Sequence, residues 1–444
     1  MKDELNGDFR ETELGALPAE WDIVSLSQVT EKTKQSNPRR NPTSRFKYVD
    51  VSSVSNENLK ITDSADYVGT DAPGRARKVI KKNDVIFATV RPYLKRVALV
   101  PESLDGQICS TAFCVIRCNS NLADARFVFF AATADEFVQR VVEHQRGSSY
   151  PAVTDKNVLD EIIALPPLPE QRAIARVLST IQRAIETQDK LIAAARELKK
   201  SLMRQLFTQG LDANGAVKET EIGVMPEHWQ VTMLGELLDR KVLFARNGFP
   251  CGNHNDKGAG IPHLRPFNID NDGRIALNTI KYIETNVDIK KYLLEQGDVI
   301  FNNTNSEKLV GKTGYWQSQG KFVLSNHMTI LRILQDEVID GIYLSKFLQK
   351  RWEDGYFTGI CRRHVNQASI SLARLHQIAI ALPQPPEQRA IARILSTADK
   401  KIENEEKRKA ALEALFKTML QQLMTGKLRM SIPDPFVKTT DREK

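Results

Sequence analysis

Residues 169–180 read PEQRAIARVLST, and residues 386–397 read PEQRAIARILST; eleven of the twelve positions are identical. A chain that spells the same helix start twice, with unrelated sequence between the copies, builds one structural unit twice. The repeat reaches upstream. TELGALPAEWDIVSL (12–26) is echoed by TEIGVMPEHWQVTML (220–234), so Gly15, Pro18, Trp21 and Leu26 match Gly223, Pro226, Trp229 and Leu234. NDVIF (83–87) matches GDVIF (297–301), and STAFCVIR (110–117) resembles SNHMTILR (325–332). The offset grows from 208 (Gly15 to Gly223) to 217 (Glu170 to Glu387), so the second copy carries net insertions. The ends of the unit agree well and the interiors poorly. One architecture is held at the edges around two different contents.

Each unit reads as a mixed domain followed by a helix. FKYVDVSSV, DVIFATV and FCVIRC in the first copy, and DVIFNN and MTILRI in the second, are short runs rich in Val, Ile and Phe and are expected as strands. Residues 124–143 and 340–355 have helical spacing of apolar residues. Pro169 and Pro386 suit the first position of a helix, where the missing N–H costs nothing, and Glu170 and Glu387 favour its positive end. The helix then runs long. Ile174, Leu178, Ile181, Ile185, Ile192, Ala195, Leu202 and Leu206 keep heptad phase, as do Ile391, Leu395, Ala398, Ile402, Leu412, Phe416, Met419 and Leu423. Gln188, Lys199, Glu405 and Lys409 interrupt the seam, and Gly210 and Gly426 are plausible stops. Forty-odd residues give a rod of roughly 60 Å. A stripe that long exceeds one face of a small domain, so the two helices are expected to pair with each other.

The expected fold class is α+β: two mixed α/β domains separated by two long antiparallel coiled-coil helices, with a pseudo-two-fold internal repeat. The expected boundaries are 1–168 for the first domain, 169–210 for its helix, 211–385 for the second domain, 386–426 for its helix and 427–444 for a polar tail. Two related but divergent domains on a rigid spacer suit the reading of two separated half-sites on DNA, where equivalent groove faces recur about every 34 Å.

The remaining totals narrow the class. A net charge of +8 over 444 residues permits a nucleic-acid partner without demanding one. The five cysteines fall at irregular positions with no CxxC pair, which argues for reduced thiols and against zinc. The N-terminus lacks an apolar h-region, and no run is long enough to span a bilayer, so a cytoplasmic chain with no membrane partner is expected.

The layout resembles the specificity subunit of Type I restriction–modification systems. The resemblance rests on LPPLPEQRAIARVLS and LPQPPEQRAIARILS, each heading a long helix, and on the TELGALPAEW and TEIGVMPEHW openings; it covers roughly residues 12 to 428. It implies two target recognition domains, each reading a few base pairs of a bipartite, asymmetric site in double-stranded DNA. It implies a spacer that docks two methyltransferase subunits, with restriction subunits added in some systems. It implies no catalysis and no cofactor in this chain: adenosylmethionine, ATP and magnesium belong on the partners. A coiled-coil scaffold that does not read DNA is the alternative.

The candidate DNA-binding residues lie in four loops. Arg75, Arg77, Lys78, Arg91, Tyr93, Lys95 and Arg96 form a basic cluster able to meet phosphates and guanine edges. Arg146, Ser148 and Tyr150 follow in HQRGSSYPAVT. In the second copy, Asn302, Asn303, Asn305, Lys308 and Lys312 offer amides and ammonium groups, and Arg362, Arg363 and Asn366 follow in CRRHVNQASIS. The matched loops differ strongly in chemistry, as two different half-sites require. LVGKTG (309–314) imitates a phosphate loop, but Ser306 stands where the Walker pattern needs glycine. His254 and His263 lie in a Gly-rich stretch and read as loop polar groups rather than metal ligands.

Overall fold

A computed structural model describes residues 9–250 and 253–430; Cys251 and the tail beyond 430 lie outside the described residues. The chain divides into two compact units, residues 1–190 with 406–444, and residues 191–405. The division falls inside both long helices, Leu168–Gln209 and Pro385–Met424, and not at the helix starts where the sequence suggested domain edges. Each unit therefore owns the front of one long helix and the back of the other.

The first unit carries an antiparallel sheet in the order Val97–Leu99, Val85–Ala88, Phe113–Cys118, Thr30–Glu31. A second sheet runs Ala65–Val68, Arg45–Val49, Ile108–Ser110, Ala76–Val79, with one parallel pair between Arg45–Val49 and Ile108–Ser110. The helix expected over 124–143 is two helices, Ala125–Thr133 and Asp135–Glu143, because Ala134 is extended (ψ 141°). Its main core gathers Trp21, Phe87, Phe127 and Phe130 with Ile174, Ala175 and Leu178 from one long helix and Leu423 from the other.

The second unit repeats this plan. Leu243–Asn247, Met328–Ile333, Val299–Asn302 and Thr313–Tyr315 form the antiparallel sheet. Lys281–Ile283, Ile261–Leu264 and Val323–Leu324 form the second sheet, again with one parallel pair. Its core joins Trp229, Phe301 and Tyr343 to Met203, Leu206 and Phe207 and to Ile391, Ala392 and Leu395.

Two side-chain devices recur and account for most of what the copies share. The first is a clamp at the helix start. Trp21 Nε1 donates to Glu170 Oε2 at 3.1 Å, and Trp229 Nε1 donates to Glu387 Oε2 at 3.0 Å. Gln171 Nε2 donates to the Pro166 and Leu122 carbonyls, and its Oε1 accepts from Asp124 N–H at 2.8 Å. Gln388 does the same with Pro383, Val338 and Asp340. Asp124 and Asp340 are themselves the N-caps of Ala125–Thr133 and Gly341–Glu353. The Glu and Gln of the repeated motif thus tie the opening Trp and the domain's own helix to one point.

The second device joins the Asp of NDVIF or GDVIF to the Arg of CVIR or TILR. Arg117 grips Asp84 through Nε (2.9 Å) and Nη2 (2.7 Å), and Arg332 grips Asp298 through the same atoms at 2.8 Å each. Both carboxylates are buried. Each also accepts a backbone N–H three residues upstream, from Lys81 or Glu295. The bidentate bond raises both arginine pKa values further.

LVGKTG also has a structural explanation. Gly311 sits at φ +91°, and a Cβ there would overlap the ring of buried Phe357. Gly311→Ala combines a left-handed backbone with overpacking and is expected to destabilise the second unit by about 3 kcal/mol. Urea denaturation read against wild type checks this; an unchanged midpoint would contradict it.

Candidate nucleic-acid interface

Two loops distant in sequence meet at one end of the first unit's antiparallel sheet. Val90 and Arg146 each bridge to Ala152. Arg91 N–H donates to Pro151 O at 2.8 Å, and the Arg91 guanidinium lies over the Tyr150 ring at 5.1 Å from its centroid. Tyr150 is 73% exposed and Tyr93 49%. An arginine stacked on an aromatic face is held in place while its N–H edge stays available for a planar, two-acceptor partner. Arg146 and Ser148 are exposed in the same loop. A backbone ladder adds a third segment: Thr111 N–H to Arg75 O, Thr89 N–H to Ala112 O, and Val153 N–H to Thr89 O, at 2.8–2.9 Å. It brings exposed Arg75 and half-exposed Arg77 alongside.

The second unit builds the same junction from regular strands. Ala368–Ser369 pairs with Thr304–Asn305 on one side and Arg362–Arg363 on the other. Arg363 ties the loops together through Glu307 at 2.8 Å. Lys308, Arg362, Arg363 and Asn366 are exposed, and Asn305 is half-exposed.

Several candidates belong to the fold instead. Lys78 is buried, donating to Phe113 O at 2.6 Å and pairing with Asp155. Asn302 is fully buried beneath the Leu309 carbonyl, and Asn303 donates to Asn247, Thr329 and the Asn326 carbonyl. Lys312 is buried over the Trp352 ring, and burial lowers its pKa. Lys95 pairs with Asp135, and Arg96 caps the Val51 and Val54 carbonyls. Lys78, Asn302, Asn303 and Lys312 are thereby covered by protein and have no free edge to present to a base or phosphate, whereas Lys95 and Arg96 keep part of their surface exposed.

Residues 265–271 add an exposed aromatic–arginine pair that the sequence analysis did not single out. Phe267 is half exposed, with the Arg265 guanidinium 4.1 Å from its ring centroid. It borders a cavity of 430 Å³ shared with Asn271, Asn305 and Leu309. The available signal was the run RPFN directly after a strand, an aromatic flanked by polar groups.

His263 is a buried strand residue, not a loop group. His254 Nε2 and His263 Nδ1 lie 2.9 Å apart, and no group of three or more metal-ligating side chains occurs among the described residues. Burial, then the charge His254 would carry, pushes His263 down to about 4 from 6.5. The unfolded chain takes up this proton near 6.5 and the folded chain only near 4, so stability falls as pH drops through that window. At ~1.4 kcal/mol per pKa unit the loss approaches about 3 kcal/mol. The second unit's urea midpoint is expected to drop between pH 7 and 4.5, and less so in His263→Asn. Parallel pH profiles would count against this assignment. Of the described cysteines, Cys109 and Cys114 are buried, and burial pushes the Cys109 thiol up to about 12; all four described are free.

The family described as Type I restriction modification DNA specificity domain matches residues 18–195 and again 226–414. The chain belongs to this specificity family. Its two matched segments coincide with the two copies found by self-comparison. The MjaVIII Type I restriction enzyme specificity subunit of Methanocaldococcus jannaschii is 27% identical over 339 residues, covering 73% of this chain and 75% of its own. A solved chain from work on complex assembly and conformational transition of the type I R-M system is 28% identical. It has a TM-score of 0.59 and covers 93% of this specificity chain and 99% of its own. The S subunit of a Type I system from M. genitalium shares the fold, with a TM-score of 0.56 at 15% identity and 98% coverage of both chains. No helix among the described residues is long and apolar enough to cross a membrane.

Proposed function

We propose that this chain is the non-catalytic DNA-reading adaptor of a Type I restriction–modification complex. Each unit reads one half of a bipartite, asymmetric target in double-stranded DNA. The long helices pair antiparallel as a spacer with pseudo-two-fold symmetry, and the spacer docks two methyltransferase subunits, with restriction subunits where the system has them. Adenosylmethionine, ATP and magnesium are handled by those partners.

One observation carries the reading: both units bring the same two loops together by the same three-segment pairing, yet line them differently. The first junction presents Arg91, Arg146 and Tyr150, whereas the second presents Asn305, Lys308, Arg362, Arg363 and Asn366. Arginine forks match guanine edges and phosphates; amides match adenine. The pairing of the helices is supported within each unit. Asp189 meets Lys409 at 2.6 Å in the first, and Lys199 meets Asp399 at 2.7 Å in the second. The scaffold alternative gives no reason for two matched, exposed and chemically distinct loop junctions.

The test is a map of adenine methylation in the source genome with and without the gene. Loss of one gapped, asymmetric motif is expected; no change would sink the reading. At residue level, Arg91→Ala should weaken discrimination at one half-site by about 1–3 kcal/mol, roughly five- to 150-fold. Binding competition with single-base variants of the two halves measures it.

A further inference from the structure

Among the described residues, the two most exposed large apolar side chains are Val365, at 99%, and Tyr150, at 73%. They occupy matching places. Each sits at the tip of the second loop of its unit's junction, Tyr150 between Arg146 and Ala152, Val365 between Arg363 and Ala368. The support beneath Val365 is firm. His364 N–H donates to the Gln367 carbonyl at 2.7 Å and closes the turn. His364 Nε2 lies 3.0 Å from Ser369 Oγ, and Arg363 meets Glu307 at 2.8 Å. The returning strand is anchored by buried Ala368 and Ile370, and Ile370 N–H donates to the Asn303 carbonyl at 2.8 Å. The tip itself is bare: residues 362–367 are all exposed. Covering Val365 would stabilise the chain, yet the fold holds it in water on an ordered hairpin.

We infer that Val365 reads the C5 methyl group of a thymine in the half-site bound by the second unit. The inference rests on the adaptor reading above and names one contact within it. A two-stranded ribbon fits the major groove of B-DNA, and there the thymine methyl is the one apolar group that the four base edges present. Arg362 and Arg363 stand exposed at the foot of the hairpin, where phosphates would hold the ribbon and carry its tip to the base edges. Asn366, next to Val365, carries the amide that suits adenine, so the tip as a whole matches A·T pairs. Arginines and amides distinguish bases by hydrogen bonds; the uncovered valine adds a contact that, among the four bases, thymine alone can meet. A protein partner would find no apolar patch here, because Val365 stands between His364, Asn366 and Gln367, all polar and exposed.

The experiment measures binding of the full chain, assembled with its methyltransferase subunit, to duplexes carrying the mapped target. Each thymine of the second half is replaced in turn by deoxyuridine, which removes one methyl group and leaves base pairing intact. Wild type is expected to bind one of these duplexes about fourfold more weakly, the contribution of one buried methyl group. Val365→Ser should bind the thymine and deoxyuridine duplexes alike, both near the weaker level, and should respond to changes in the first half as wild type does. Val365→Ile should keep the preference. The thermal midpoints of both variants should match wild type, since the side chain is exposed. Wild-type indifference to every deoxyuridine, with the target still bound specifically, would overturn the inference and leave the DNA-reading proposal intact. A preference that survives Val365→Ser would overturn it by assigning the methyl contact to another residue. A complex with no specific target would remove the DNA-reading proposal and the inference together.

Discussion

Asp298→Ala is expected to unfold the second unit at a denaturant concentration that leaves the first folded, and Asp84→Ala to do the reverse. Each aspartate is buried, at 1% and 2% side-chain exposure, and each accepts both arms of one arginine. Removing the carboxylate strands a partly buried guanidinium between strands and frees the backbone N–H of Glu295 or Lys81. Breaking a buried pair from one side costs about 3–5 kcal/mol. That is a large share of the ~5–15 kcal/mol that holds a domain. Arg332 keeps Glu295 and the Leu293 carbonyl as partners, whereas among the described residues Arg117 keeps only the Val79 carbonyl at 3.4 Å. The first unit should therefore suffer more. Hydrogen exchange resolved by peptide will show which unit loses protection. Equal loss in both units, or none, would show that the pair is not a local keystone. Replacing the pair outright, Asp84→Leu with Arg117→Met, should recover most of the loss, because an apolar pair leaves no orphaned charge.

Exchanging residues 30–150 for the corresponding stretch of another specificity chain is expected to change one half of the methylated sequence completely and leave the other half unaltered. The frame makes this exchange possible. Trp21, Glu170 and Gln171 all lie outside the exchanged segment. Gln171 holds the domain through the Leu122 carbonyl and the Asp124 N–H, backbone atoms that any sequence provides. Asp84 and Arg117 travel together, so that buried pair is kept, whereas Lys78 with Asp155 and Arg140 with Glu161 span the boundary and require a donor segment that supplies a matching cation at each place. Of the other ties that the exchange would break, Lys60 with Glu186 is largely at the surface and contributes little. Methylation mapping of the chimaera reads both halves at once. Loss of both halves, or retention of both, would refute the division of labour between the units.

The same contrast between frame and content marks what was legible in the sequence. Self-comparison located the repeat, the helix starts and the paired loops, because these depend on local rules: proline at a helix start, heptad phase, short apolar runs. Lys78, Asn302, Asn303 and Lys312 carry the right chemistry for DNA yet point into the protein. A basic or amide side chain in a loop or short strand gives no local sign of whether a neighbouring segment will cover it. The covering segments here, around Asp155, Asn247, Asn326 and Ile269, are 20 to 80 residues away in the chain. Asp84 and Arg117 were visible as repeated letters, but their bond became readable only once antiparallel strands Val85–Ala88 and Phe113–Cys118 set them side by side.

By itself, the sequence determined that two like units exist, each ending in a long amphipathic helix, because periodicity and capping act over a few residues. Tertiary structure alone decided that each unit is closed by the back half of the other copy's helix, and which polar groups remain at the surface. Those outcomes depend on which distant apolar faces meet, and burial converts a binding group into a structural one only after they have met.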